Sequence, residues 1–171
     1  SYVLNHGRYI MGPEVYELEE KLAHYVGVKH CISCSSGTDA LLIPLMARGI
    51  GFGDAVFTTP FTYIATAEVI RLIGATPIFI DIDPNTFNIN HKLIPVAVQI
   101  AQKKGLNPKA IIPVDLFGLP ADYDQIGKIA IEKSLFLLED SAQGIGGEIN
   151  GRKAGSFGDI SATSFFPSKP L

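Results

Sequence analysis

Asp159-Ile-Ser-Ala-Thr-Ser-Phe-Phe-Pro-Ser-Lys169 is the stretch around which the chain is organised. Residues 160–166 are apolar and β-favouring, which predicts a buried strand. Pro167 closes it, because proline has no N–H to give to a ladder. Lys169 then falls on the turn that leaves the strand. A lysine at the carboxyl end of a buried strand can project into a cleft. Partly desolvated there, its amine loses its proton more easily and becomes a nucleophile toward carbonyls. The same lysine on a solvated face would be an ordinary surface charge, so the residues upstream decide its meaning.

Working outward, short apolar runs at 135–139, 110–114, 76–80, 55–58 and 30–34 read as further strands. Helical patterns lie between them, at 124–133, around 92–104, near 63–73 and at 40–48. Pro44 should kink the last of these or delay its start. A further helix opens at Gly12-Pro13-Glu14, with Val15, Leu18, Leu22 and Tyr25 on one stripe and Gly27 as its stop. Residues 141–153 are glycine-rich and read as irregular. Strands that alternate with helices, and that are apolar without a break, predict an α/β fold: a mostly parallel sheet with helices on both faces. Sites on such sheets form at the carboxyl ends of the strands. The unusual polar clusters all fall there: residues 35–39, 58–63, 81–83, Asp115, 140–143 and 164–169.

The chain has 171 residues, enough for one domain or a large part of one. Its net charge is −3 with no basic tract, which argues against nucleic acid as a partner. Cys31 and Cys34 have the C-x-x-C spacing of zinc or redox sites, but no second pair of ligands accompanies them. They lie in an apolar run and read as buried strand thiols. The first residues lack the pattern of a signal peptide. No apolar run is long enough to span a membrane, so a cytoplasmic location is expected.

Four clusters carry chemistry. Ser35-Ser-Gly-Thr38 joins a strand to a helix, and its small residues and free amides could hold a phosphate, or simply cap the helix. Asp140 ends a buried strand and needs a partner, such as a protonated ring nitrogen; capping the next turn is the plainer role. Gln143, three residues on, could donate to a ring oxygen. Tyr63 or Phe61 could lie flat on a planar ring, or serve as core. Ser164 and Ser168 could add phosphate contacts beside Lys169, or bond to their own turn. Together they describe a pocket for pyridoxal 5'-phosphate (PLP). A lysine holds the aldehyde as an imine, an aspartate keeps the pyridine nitrogen protonated, and the phosphate anchors the ring.

At these residues the chain resembles the DegT-type sugar-nucleotide aminotransferases, within the fold-type-I PLP-dependent enzymes. The resemblance runs from Gly7-Arg-Tyr-Ile-Met-Gly-Pro-Glu14 to Lys169. It takes in Ser35-Ser-Gly-Thr-Asp-Ala-Leu41, Asp115-Leu-Phe-Gly118, Glu139-Asp-Ser-Ala-Gln143, Gly155-Ser-Phe-Gly-Asp159 and Ser164-Phe-Phe-Pro-Ser-Lys169. It implies that Lys169 is the cofactor lysine and general acid/base. It also implies that Asp140 pairs with the pyridine nitrogen and that Gln143 contacts the phenolic oxygen. Gly37, Thr38 and Ser164 would hold the phosphate, and Tyr63 would stack on the ring. The implied activity moves an amino group, usually from glutamate, to a nucleotide-linked keto sugar in amino-sugar and surface-polysaccharide biosynthesis. The implied assembly is a homodimer. Many relatives carry a histidine where Asp115 stands, and the helix holding Pro44 usually lacks a proline. Relatives are about twice this length, so residues 1–171 are expected to be a partial PLP-binding large domain without its C-terminal small domain. Other readings are a sugar dehydratase, in which histidine replaces the lysine, and a non-catalytic or regulatory module on the same scaffold.

Overall fold

The computed structural model describes residues 2–169. Helices α1 (Tyr2–His6), α2 (Pro13–Val26) and α3 (Gly37–Ala47) lead into an alternating run. The run comprises β1 (Asp54–Thr58), α4 (Ala65–Leu72), β2 (Thr76–Phe79), α5 (Ile94–Lys103), β3 (Asn107–Ile112), α6 (Tyr123–Lys133) and β4 (Phe136–Asp140). A small pair follows, β5 (Glu148–Ile149) and β6 (Arg152–Lys153), and then β7 (Ile160–Ala162). The main sheet has five strands in the order β2-β1-β3-β4-β7, and every neighbouring pair is parallel.

The strands alternate sides residue by residue, so each face has its own core. Ala55, Phe57, Ile111 and Leu137 pack with Ile94 and Val98 of α5 and Ile126 of α6. Val56, Ile112, Leu138 and Ala162 pack with Leu41 and Leu45 of α3 and Val69 and Ile70 of α4. Both faces are covered, which is why the strands read as unbroken apolar runs. The strand order reverses at β1, since β2 lies on one side of it and β3 on the other. The carboxyl ends around that reversal are where such sheets open a crevice.

Several sequence expectations need correction. Residues 30–34 form no strand. The amide and hydroxyl of Ser33 both donate to Glu19 Oε1 on α2, at 2.7 Å, so this segment docks on a helix instead of entering the sheet. Cys34 is therefore exposed and Cys31 only half-buried; they are not two buried strand thiols. The strand expected at 160–166 stops at Ala162. Its partner β4 ends at Asp140, paired with Ala162, and no ladder remains for Thr163 onward. Helix α3 starts at Gly37, earlier than the sequence suggested, because Ser36 Oγ caps Asp39 N at 3.1 Å; it runs through Pro44. The apolar stripe of α2 buries no residue, although Gly27 ends that helix at φ 82° as expected. Residues 141–153 are not wholly irregular: β5 and β6 pair antiparallel across Asn150-Gly151, both at positive φ. That dipeptide is the usual two-residue hairpin turn.

Candidate active site

Asp140 is the last residue of β4 and only 4% exposed. Its Oδ2 accepts from Thr66 Oγ1 at 2.8 Å and its Oδ1 from the Ala142 amide at 3.2 Å. Burial pushes its carboxyl above the usual carboxylate range, while the Thr66 and Ala142 hydrogen bonds and the charge of Lys169 pull it back. Thr66 is held in turn, since its hydroxyl lies 3.0 Å from Thr62 Oγ1 on the loop that carries Tyr63. Thr66 was not singled out from sequence. Its position one helical turn after Thr62 was the available signal.

Lys169 sits on a turn closed by its own amide to Phe166 O at 2.8 Å, and it is half-buried. Its Nζ lies 5.9 Å from the centroid of the Tyr63 ring, which is 66% exposed. Phe61, the competing aromatic, turns into a cluster with Phe87 and Phe117, at centroid distances of 5.9 and 6.3 Å. A cleft of 380 Å³ is lined by Phe117, Gln143, Ser168 and Lys169. Gln143 Oε1 accepts from the Phe117 amide at 2.9 Å, and the Gln143 NH₂ group, which has no partner among the described residues, can donate into that space. A larger cavity of 540 Å³ opens elsewhere, at Lys109 near the start of β3 and Phe136 at the start of β4. It lies at the wrong end of the strands for a site of this kind.

Gly37 and Thr38 open α3, where the first amides have no partner within the helix. The Asp39 carboxylate is taken up by the hydroxyls of Ser35 and Ser36, which hold it below the usual range. Gly37 is pressed against the segment that leads to Lys169: a Cβ there would stand 2.8 Å from Ser164 Cβ and 3.1 Å from its Oγ. Only glycine allows this approach. Gly37→Ala is expected to destabilise the protein by about 1–3 kcal/mol through overpacking, read as a lower urea midpoint with an unchanged slope. An unchanged midpoint would show that Ser164 yields freely.

The structure thus brings Asp140, Lys169 and Tyr63 to one place, Gln143 to the cleft beside Lys169, and Gly37 with Thr38 against Ser164. The chain matches the sequence profile of the DegT/DnrJ/EryC1/StrS aminotransferases over residues 1–171. It belongs to that family. It is 50% identical over 169 residues to the UDP-2-acetamido-2-deoxy-3-oxo-D-glucuronate aminotransferase of Pseudomonas aeruginosa, covering 99% of this chain and 45% of the relative. A solved DegT/DnrJ/EryC1/StrS aminotransferase from Brucella abortus superposes with TM-score 0.98 at 54% identity, covering 99% of this chain and 46% of that one. A structure from Streptococcus pneumoniae solved in its PLP form gives TM-score 0.85 at 30% identity, covering 93% and 43%. The chain therefore spans less than half the length of these relatives. Family membership also fits the all-parallel sheet and the helices on both of its faces.

One buried group near the site was left out of the candidate set. Asp115 is fully buried, with Oδ1 accepting from the Ala121 amide at 3.1 Å and from Tyr123 Oη at 2.8 Å. Its Oδ2 has no partner among the described residues. Glu139, also fully buried, accepts from the amides of Gly155, Phe157 and Gly158.

Proposed function

We propose that this chain is the cofactor-holding part of a PLP-dependent aminotransferase that delivers an amino group, with glutamate as donor, to a nucleotide-linked keto sugar. The observation that carries the reading is a single amine, Lys169 Nζ, poised over the Tyr63 face while its charge reaches the buried carboxyl of Asp140. The residues fit the group. Gly37 leaves the close backbone approach that a Cβ would fill, and Asp140 is a desolvated carboxyl with no cation bonded to it among the described residues. Bound there, PLP would supply an aldehyde that takes up amines and a ring that accepts electrons released at the substrate carbon.

In this reading Asp140 holds a proton on the ring nitrogen, and Thr66 fixes the direction of its carboxylate. The Gln143 amide donates to the ring oxygen. The amides of Gly37 and Thr38 and the Ser164 hydroxyl hold the phosphate. Tyr63 covers one face of the ring and excludes water from it. Lys169 carries the proton to and from the substrate carbon, the general acid/base step. The rest of the full-length protein, and a second copy in a homodimer, would complete the sugar-nucleotide pocket. The substrate class is carried by the nucleotide-sugar aminotransferase among the relatives.

The test uses the full-length protein that contains this chain. PLP is added, the visible absorbance followed, and the sample reduced with borohydride and mapped by mass spectrometry. Glutamate and a UDP-linked 3-keto sugar are then supplied, and 2-oxoglutarate is measured. Fixation of the cofactor on Lys169 and release of 2-oxoglutarate are expected. A protein that neither absorbs nor becomes covalently labelled would sink this reading and favour a non-catalytic module.

A further inference from the structure

We propose that Asp115 and Glu139 hold one proton between them, and that this proton is what positions the Phe117–Gln143 wall of the cleft. Asp115 Oδ2 is buried with no donor among the described residues, and a Cβ at Gly144 would stand only 2.9 Å away, so there is little room for water. Glu139 is its neighbour: the Asp115 amide donates to Asp140 O, a Cβ at Gly144 would meet both Asp115 Oδ2 and Ala154 Cβ, and the amide of Gly155, next to Ala154, donates to Glu139 Oε1. The two carboxyls interact. Two ionised carboxylates cannot hydrogen-bond to each other, since both only accept. Give Asp115 a proton and the orphan becomes a donor to Glu139.

The hydrogen bonds decide which residue carries the proton. Burial raises both carboxyls, but Glu139 receives three backbone amides, which favour its charged form. Asp115 receives two donors, both on Oδ1, which leaves Oδ2 as the protonated atom. Burial and the neighbouring Glu139 charge raise the Asp115 carboxyl to about 8, against the Tyr123 and Ala121 hydrogen bonds. The ionisable groups around it are Glu139 and Asp140 from β4 and Tyr123 from α6, and burial also pushes the Tyr123 hydroxyl up. No basic side chain forms an ion pair with these groups among the described residues.

The pair reaches the cleft by a short path. Asp115 Oδ1 ties down the Ala121 amide and so closes the loop 115–121. That loop carries Phe117, held at φ 56°, whose amide fixes Gln143. At its other end the Asp115 amide donates to Asp140 O at 3.0 Å. Loss of the proton places two negative charges in one buried site beside Asp140. The loop then opens and releases Gln143. Asp115 is accordingly a positioning residue.

The sign is fixed by linkage. The folded-state value lies above the ordinary 3.8, so the folded protein binds the extra proton between 3.8 and about 8. Stability is fully present below that window, falls as pH rises through it, and levels off above it. Asp115→Asn keeps a neutral donor and acceptor, and its stability should lack this slope.

The experiment uses the full-length protein and its Asp115→Asn variant. Infrared difference spectra between them should show, below about pH 8, a neutral carboxyl band that shifts in D₂O and fades as the pH rises. Hydrogen exchange is then measured across residues 115–121, corrected for the intrinsic pH dependence of exchange. From one unit below to one unit above the Asp115 value, protection in the wild type should fall roughly tenfold relative to the variant, following the protonated fraction. Absence of the neutral band in the wild type overturns the shared proton. A band that fades while protection follows the variant overturns the positioning role. Neither readout depends on bound cofactor, so both stand apart from the outcome of the PLP test.

Discussion

Lys169→Ala in the full-length protein is expected to lower amino transfer by at least ~10⁴-fold and to abolish borohydride fixation of PLP. Proton transfer by one positioned group is worth about 10²–10⁴, and this residue would also hold the cofactor. The fold should survive, because Lys169 lies on an exposed turn and packs in neither core. Cofactor affinity should fall by less than activity, since Gly37, Thr38 and Ser164 are untouched. A second effect is specific to this geometry. The lysine charge lowers the Asp140 carboxyl, so its removal should move any Asp140 titration upward. The measurements are single-turnover rate, covalent labelling and the Asp140 titration. Equal labelling of wild type and variant would assign the cofactor to another lysine.

Asp140→Asn should separate catalysis from stability. The amide keeps the size of the carboxylate; its oxygen can accept from the Ala142 amide and its NH₂ can donate to Thr66 Oγ1, whose hydroxyl then donates to Tyr63 O, so β4 is not disturbed. It cannot hold a proton on a pyridine nitrogen. Removing one such preorganised electrostatic contact costs about 10²–10³ in rate. Burial raises the Asp140 carboxyl in the folded protein, so wild-type stability falls as pH rises through that raised value. The asparagine variant has no such loss. Without cofactor it should match the wild type in acid and be the more stable protein in alkali; with cofactor it should be far less active throughout. Urea unfolding at several pH values, set beside the rate of 2-oxoglutarate release, checks both halves. A variant that is active, or destabilised at high pH, would contradict the role given to Asp140.

The sheet was legible in the sequence because strands covered on both faces have nowhere to place polar residues. Runs such as 55–58 and 135–139 therefore stand out. Residues 30–34 misled for the same reason, since an apolar run does not say whether a neighbouring strand exists to pair with it; here Glu19 took the amide of Ser33. The strand at 160–166 was overextended because its length is set by where β4 ends, a fact held elsewhere in the chain. The candidate site residues stood out in the sequence as polar exceptions at strand ends. Spacing alone left Phe61 and Tyr63 open, and the resemblance pointed to Tyr63; the packing of Phe61 depends on the Phe87 and Phe117 rings arriving from distant loops. Sequence could not show Asp115 meeting Glu139, two acids separated by α6 and most of β4.

The order β2-β1-β3-β4-β7 has a consequence for how the molecule is made. After β1 and β2 pair, each later strand adds to one growing edge, in the order in which a ribosome delivers it. Each of these stages presents an unpaired apolar border, open to the wrong neighbour. Parallel pairing across helical crossovers is also slow, because distant segments must meet before any contact repays them. Lys169 follows the last of these strands. A ligand that requires Lys169 together with Asp140 can be captured only once β7 has joined β4, so it would act as a proofreader of that step and draw chains that have added β7 out of the pool that have not.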